Sequence, residues 1–379
     1  MASDIDLHRR LIGQQGSRRA LNTPVLVVER DALQRNLEMM AAFARERGLA
    51  LRPHAKTHKS VEIARLQMAA GAVGVCCAKL GEAEALADGG INAILITSPV
   101  VTPQAIERLM ALHWRIGDLR VTADHPDNVD ALAAAARASE RVLPVLVDVD
   151  PGIRRTGVAS AEAAVALARR ITEAPSLRYA GVQFYCGAQQ HIEAYTDRRA
   201  AIAERTDYLK SVVSALREAG LTPDVVTGGG TGTHHIDAEL GVLTELQAGS
   251  YVFMDRQYQD CDLRGEASAP FETSLFVDAH VISANSAGMA TLDAGFKALS
   301  TDGGSPKVAA GAPEGAAFVF MGDEHGALIA MDHVFRIGDH VTLEVPHCDP
   351  TVNLYDAYHV VRDGALIDIW PVSARGRSR

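Results

Sequence analysis

The feature that most constrains this chain is a rhythm. From about residue 50 to about residue 250, short apolar runs alternate with amphipathic helical patterns. Strands are expected at residues 50–55, 73–77, 93–97, 119–122, 143–149, 179–184, 224–227 and 244–247, with helical patterns such as 61–70, 82–88, 161–171 and 197–218 between them. Most of the strands are short and apolar, several with β-branched residues, as suits parallel strands buried on both faces. About eight strand–helix units in roughly 200 residues imply a (β/α)8 TIM barrel, with a doubly wound open sheet as the other architecture of this pattern.

Two segments break the rhythm. Residues 23–47 read as a strand (23–28) and a helix (31–47). From about residue 266 the pattern turns to strands, at 274–283, 318–321, 340–345 and 359–362, joined by Gly- and Asp-rich turns. The chain of 379 residues, 47% hydrophobic, is long enough for both units. The expected division is a barrel over residues 23–265 and a second, mainly β domain over 266–379 together with residues 1–22. The strand at 23–28 is a candidate to add to the second sheet. The tail from Ala374 is expected to be disordered.

Charge and cysteine usage exclude some partners. The net charge is −10 and no basic run is present, which argues against nucleic acid and anionic membrane surfaces. No apolar stretch approaches the roughly 20 residues of a membrane span, and the first ten residues lack the apolar core of a secretion signal. The five cysteines, Cys76, Cys77, Cys186, Cys261 and Cys348, are odd in number and lack CxxC spacing. They point to a reducing cytoplasm rather than a disulfide frame.

Barrel enzymes place chemistry at the C-terminal ends of their strands. After the first strand comes Pro53-His54-Ala55-Lys56-Thr57-His58-Lys59, two lysines and two histidines in seven residues. A partly desolvated lysine is a nucleophile toward carbonyls, although a basic surface loop would look the same. After the seventh strand, Gly228-Gly229-Gly230-Thr231-Gly232-Thr233 lets backbone N–H groups converge on an anion. After the eighth come Gln247-Ala248-Gly249-Ser250-Tyr251. Loops after strands 7 and 8 are the usual phosphate site of this fold. After the fifth strand Arg155 is placed to reach a phenolate oxygen or a carboxylate. After the sixth, Tyr185 and His191 are pocket candidates; ordinary barrel packing and a surface histidine are the simpler explanations of them. In the second domain lies Pro346-His347-Cys348-Asp349-Pro350. In an extended segment His347 and Asp349 would face one way and Cys348 the other. An imidazole and a carboxylate completed by waters suit a divalent metal such as Mn²⁺.

Taken together these segments resemble the D-threonine aldolase and D-serine dehydratase group, within the alanine racemase-like class of pyridoxal-phosphate (PLP) enzymes. The matching pieces are Arg52–Lys59, Asp150-Pro151-Gly152 with Arg155-Thr156-Gly157, the Gly228–Thr233 loop, Leu246–Tyr251, Asp293–Lys297 and Pro346–Thr351, in order along nearly the whole chain. The resemblance implies PLP as cofactor and Lys59 as its Schiff-base lysine, with Lys56 the rival that spacing does not eliminate. It implies Arg155 at the phenolate oxygen and Tyr185 beside the ring. It also implies Gly229, Gly230, Thr231, Ser250 and Tyr251 at the phosphate, largely through backbone N–H. Gln247 is the expected partner of the ring nitrogen. His347 and Asp349 would hold the metal, Mn²⁺ first, with Mg²⁺ or Ca²⁺ as other hard cations that suit a carboxylate. His191 or metal-bound hydroxide would serve as base.

The implied activity is metal-dependent cleavage of D-threonine and other small D-β-hydroxy-α-amino acids to glycine and an aldehyde, by a homodimer. Asp349 in place of a cysteine ligand favours this over D-serine dehydration to pyruvate and ammonia. A non-catalytic PLP-homeostasis protein is the alternative of another class. Such proteins lack the second domain.

Overall fold

The computed structural model describes residues 4–266 and 269–379. A first strand, β1 (Val25–Glu29), precedes the helix Arg30–Glu46. Eight parallel strands follow: β2 (Ala50–Leu51), β3 (Val75–Cys77), β4 (Ala93–Ile96), β5 (Asp118–Ala123), β6 (Leu143–Asp148), β7 (Leu177–Phe184), β8 (Val225–Gly228) and β9 (Glu245–Leu246). They pair in the order β2-β9-β8-β7-β6-β5-β4-β3. The two ends of this sheet meet at a parallel bridge between His54 and Cys76, where Ala55 N–H donates to the Cys76 carbonyl at 2.8 Å. The result is the TIM-like barrel that the alternation implies.

Inside the barrel Cys76, Leu95, Leu146 and Ala180 pack as a separate buried cluster. Their strand neighbours Cys77, Ile94, Ile96, Val145 and Val147 belong to the layer between strands and helices. This is the alternation of a pleated strand read on both faces. Two residues beyond Leu146 on the same face comes Asp148, where the filling turns polar.

The second sheet is mainly antiparallel. Its strands are β10 (Leu275–Ser286), β11 (Met289–Leu292), β12 (Lys307–Ala310), β13 (Ala317–Phe320), β14 (Gly326–Ile329), β15 (His340–Glu344), β16 (Ala357–Arg362) and β17 (Ala365–Pro371). Strand β1 lies within it, antiparallel to β10 and parallel to β16. The chain therefore starts in one sheet and crosses to the other through the helix Arg30–Glu46. The tail is held rather than loose. Gly81 N–H donates to the Arg379 carbonyl at 2.9 Å, and Ala374 N–H to the Lys59 carbonyl at 2.9 Å. Among the described residues no helix is long and apolar enough to cross a membrane. Residues 1–3 of the expected 1–22 segment lie outside the described residues.

Candidate active site

The C-terminal ends of the barrel strands surround a cavity of about 280 Å³. Six of the expected residues line it: Arg155, Tyr185, Gly230, Thr231, Gln247 and Ser250. Lys56 lines it too; Lys59 does not.

The local fold separates the two lysines. Residues 52–60 form neither a helix nor a regular strand, so their side chains follow no simple period. Lys59 adopts φ +50, which turns it away from the mouth. Its side chain is buried and its Nζ meets Glu82 Oε1 at 2.9 Å. Glu82 Oε2 in turn accepts the N–H groups of Ala78 (2.9 Å) and Lys79 (3.2 Å), and these two residues line the cavity. Lys59 thus braces the wall and does not face the ligand space. The Schiff-base expectation for Lys59 is corrected on this ground. The second domain grips the same loop: Tyr358 Oη donates to the His58 carbonyl at 2.5 Å.

Lys56 reaches across to the second domain and forms an ion pair with Asp349. Burial opposes both charges, and their mutual attraction wins. The Lys56 ammonium is held above its ordinary value, and the Asp349 carboxyl well below the usual carboxylate range. His54, buried beside them, is pushed down to about 3 by burial and then by the Lys56 charge, so its imidazole is neutral.

The phosphate loops hold their shape because side chains do not fit. A Cβ on Gly230 would meet Gln190 Oε1 at 2.4 Å, and one on Gly249 would meet Thr57 Oγ1 at 2.7 Å. Not every expected donor is free. Gly230 N–H is taken by Thr233 Oγ1 and Tyr251 N–H by Thr231 Oγ1. Tyr251 points its ring toward Phe271 and away from the cavity, and Gly229 (φ +70) backs onto Asp237. Among the described residues no protein acceptor takes the N–H groups of Thr231, Gly249 and Ser250. Thr57 Oγ1 is buried without a partner. Three amide donors and an orphaned hydroxyl beside glycines that admit no Cβ make a cradle for an anion. Thr57 escaped sequence reading because it sits between the conspicuous lysines and histidines.

Behind the loop, Asp237 is buried and accepts from Thr233 Oγ1 at 2.6 Å. Burial pushes its carboxyl from the ordinary 3.8 to about 7, against that hydrogen bond. Between about pH 4 and 7 the folded protein therefore keeps a proton that the unfolded chain has released, and stability falls as pH rises through that window. Asp237→Asn should remove that slope. The variant should gain on the parent between pH 5 and 8 by on the order of a few kcal/mol. Thermal melts across that range check it; parallel curves for the two proteins would refute the assignment.

The His-Cys-Asp motif does not lie in an extended segment. His347 is extended (φ −144), and Cys348–Val352 form one helical turn, so the alternation argument for this motif fails. His347 and Asp349 are nonetheless close enough for His347 to lower the Asp349 carboxyl after Lys56 has done so. His347 Nδ1 meets Asp302 Oδ2 at 2.7 Å, which leaves Nε2 as the outward donor. That is the usual arrangement of a metal-ligating imidazole with a carboxylate behind it. Nothing in the sequence marks Asp302. Cys348 is fully buried and its N–H is bound by Asp255 Oδ2 at 2.8 Å. Among the described residues no three His, Cys, Asp or Glu side chains converge as a metal group. The donor set is the two-ligand one, to be completed by water. His191 stacks 4.4 Å from Tyr258, which lines the cavity, and burial followed by the nearby His347 lowers its pKa.

Comparison with known proteins agrees with this division of labour. Residues 28–257 match the model of the alanine racemase N-terminal domain, and residues 274–361 that of a putative serine dehydratase domain. The chain is 39% identical over 361 residues to a 3-hydroxy-D-aspartate aldolase of Paracoccus denitrificans, covering 94% of this chain and 93% of that protein. It is likewise 39% identical to a D-threonine aldolase of an Arthrobacter species, covering 95% and 94%. The crystal structure of D-threonine aldolase from Filomicrobium marinum superimposes with a TM-score of 0.90 at 38% identity, covering 94% of this chain and 96% of that one. With its barrel of the alanine racemase type and its second, mainly antiparallel β domain, the chain belongs to the family of the D-threonine and 3-hydroxy-D-aspartate aldolases.

Proposed function

We propose that this protein is a carbon–carbon lyase that cleaves D-threonine and other D-β-hydroxy-α-amino acids into glycine and an aldehyde. It would use PLP and a divalent metal, Mn²⁺ ahead of Mg²⁺ or Ca²⁺. The observation that carries the reading is the pairing of Lys56 with Asp349. One is an amine in the cavity wall of the barrel; the other is a carboxylate delivered from a separate domain beside His347.

The residues fit both groups. Lys56 would hold the cofactor covalently in place of the expected Lys59. Arg155, whose guanidinium lies 5.5 Å over the Tyr185 ring, would meet the phenolate oxygen. Thr231, Gly249, Ser250 and Thr57 would take the phosphate, and Gln247 the ring nitrogen. His347, with Asp302 behind it, and Asp349 would hold the metal with water. Bound there, the cofactor supplies an electron sink for the breaking bond, and the metal acidifies the substrate hydroxyl. Burial keeps the His191 imidazole neutral, so it is fit to accept the proton at that hydroxyl. Tyr185 and Tyr258 wall the space and exclude water.

Cys348 faces the interior, so a harder carboxylate is the available donor; this favours cleavage over dehydration of D-serine. We infer a homodimer in the cytoplasm. Exposed Met331, Val334 and Ile337 give a second copy an apolar surface to cover, and the free, buried cysteines suit a reducing compartment.

Product analysis tests the reading. Chelator-treated protein should be inactive, and Mn²⁺ should restore release of glycine and acetaldehyde from D-threonine, and of glycine and glyoxylate from 3-hydroxy-D-aspartate. Rapid pyruvate from D-serine, with no aldehyde from D-threonine, would establish dehydration instead.

A further inference from the structure

We propose that the buried Arg52–Glu245 pair sets the direction of a hydrogen-bond chain that turns the carbonyl oxygen of Gln247 toward the cavity, so that the site selects a cofactor ring whose nitrogen carries a proton. The inference rests on the reading of Gln247 as the partner of that nitrogen. It adds which end of the amide is presented and what fixes it.

The chain can be followed atom by atom. Deep in the barrel Arg52 and Glu245 are 1% and 3% exposed, and Arg52 Nε lies 3.1 Å from both carboxylate oxygens. Thr227 Oγ1 donates its single hydrogen to Glu245 Oε1 at 2.9 Å. Having spent that hydrogen, Thr227 can only accept, and Gln247 Nε2 donates to it at 3.0 Å.

A second constraint comes from the opposite side. Gln183 Nε2 lies 2.9 Å from the Thr97 carbonyl and 2.9 Å from Asp148 Oδ1. A backbone carbonyl accepts and never donates, so the nitrogen of Gln183 is fixed there and its oxygen is turned toward Gln247. The two amides meet Nε2 to Oε1 at 3.3 Å. Protonation of Asp148 would not reverse this, because the Thr97 carbonyl holds the same amide.

Both hydrogens of Gln247 are therefore committed, and the two constraints agree. Among the described residues no donor reaches Gln247 Oε1. Gln247 lines the cavity and Thr227 does not. Flipping the amide would set its oxygen against the oxygens of Gln183 and Thr227 at once and lose both bonds.

An unprotonated ring nitrogen would bring a lone pair against this oxygen. A protonated one would make a charge-assisted N–H···O bond. Arg52, Glu245 and Thr227 touch no substrate; they are positioning residues acting through Gln247.

The test loads the cofactor-free protein with PLP labelled with ¹⁵N in the ring and reads the nitrogen by NMR. The parent should show the protonated shift. It should bind PLP roughly ten- to a hundredfold more tightly than the analogue with C–H in place of the ring nitrogen, the span of one hydrogen bond to a charged group. Thr227→Val should shift the nitrogen toward the unprotonated value and bring the two affinities together, and Thr227→Ser should restore both. An unprotonated nitrogen with equal affinities in the parent would overturn this inference alone. Failure to take up PLP at all would overturn the cofactor reading, and the inference with it.

Discussion

Lys56→Ala will lose the visible absorption of the bound cofactor, and borohydride treatment of the parent will fix the cofactor on the peptide that carries Lys56. Activity will drop by roughly a thousandfold or more, a modest share of the millionfold and greater enhancements typical of enzymes. The contrast with Lys59 makes this decisive. Lys59 Nζ is spent on Glu82 at 2.9 Å, away from the cavity. Removing its charge alone would leave a buried carboxylate without its cation, a loss of about 3–5 kcal/mol. The double variant Lys59→Met/Glu82→Gln avoids that, since the amide still offers an oxygen to Ala78 and Lys79 N–H. It should fold, keep the cofactor's absorption and retain measurable turnover, with the larger change in KM because the 78–79 wall is loosened. If the double variant loses the covalent cofactor and Lys56→Ala keeps it, Lys59 is the anchor after all.

Asp349→Ala will abolish the response to Mn²⁺, and Asp302→Asn will weaken Mn²⁺ binding by about 10–100-fold while leaving cofactor absorption intact. The first follows from the donor set. Asp349 is the carboxylate in reach of the cavity, held ionised by Lys56, and an alanine leaves His347 as the sole protein ligand. The second follows from the 2.7 Å contact of Asp302 with His347 Nδ1. An asparagine keeps the size but not the charge that orients the imidazole and raises its basicity. Free Mn²⁺ counted by electron paramagnetic resonance during a titration measures both. Unchanged Mn²⁺ binding in Asp349→Ala would remove the motif from the metal site.

The parts legible in the sequence were those that repeat. All eight barrel strands fall inside or beside the apolar runs, because burial on both faces leaves little room for polar residues. In the second sheet the strands Met289–Leu292, Lys307–Ala310 and Gly326–Ile329 passed unnoticed. Each is four residues long, and Lys307–Ala310 is largely exposed, so no run or alternation announces them. At the site, Arg155, Tyr185, Thr231, Gln247 and Ser250 were found because strand ends in this fold point to the mouth. The lysines were harder. Lys56 and Lys59 share a loop with no period, and a positive φ at Lys59 decides which one faces the ligand. His347 and Asp349 were chosen for a reason that failed, since the segment is helical after His347.

The grip of the second domain on the lysine loop, through Tyr358 to the His58 carbonyl and Ala374 to the Lys59 carbonyl, carries a consequence for inheritance. The amine and the carboxylate belong to different sheets, so a drift of an ångström where the sheets meet would misplace one against the other. Residues that never meet a substrate are then under the same selection as those that do. Tyr358, deep between the two layers, is as much a part of what descendants of this chain must keep as the lysine whose loop it holds.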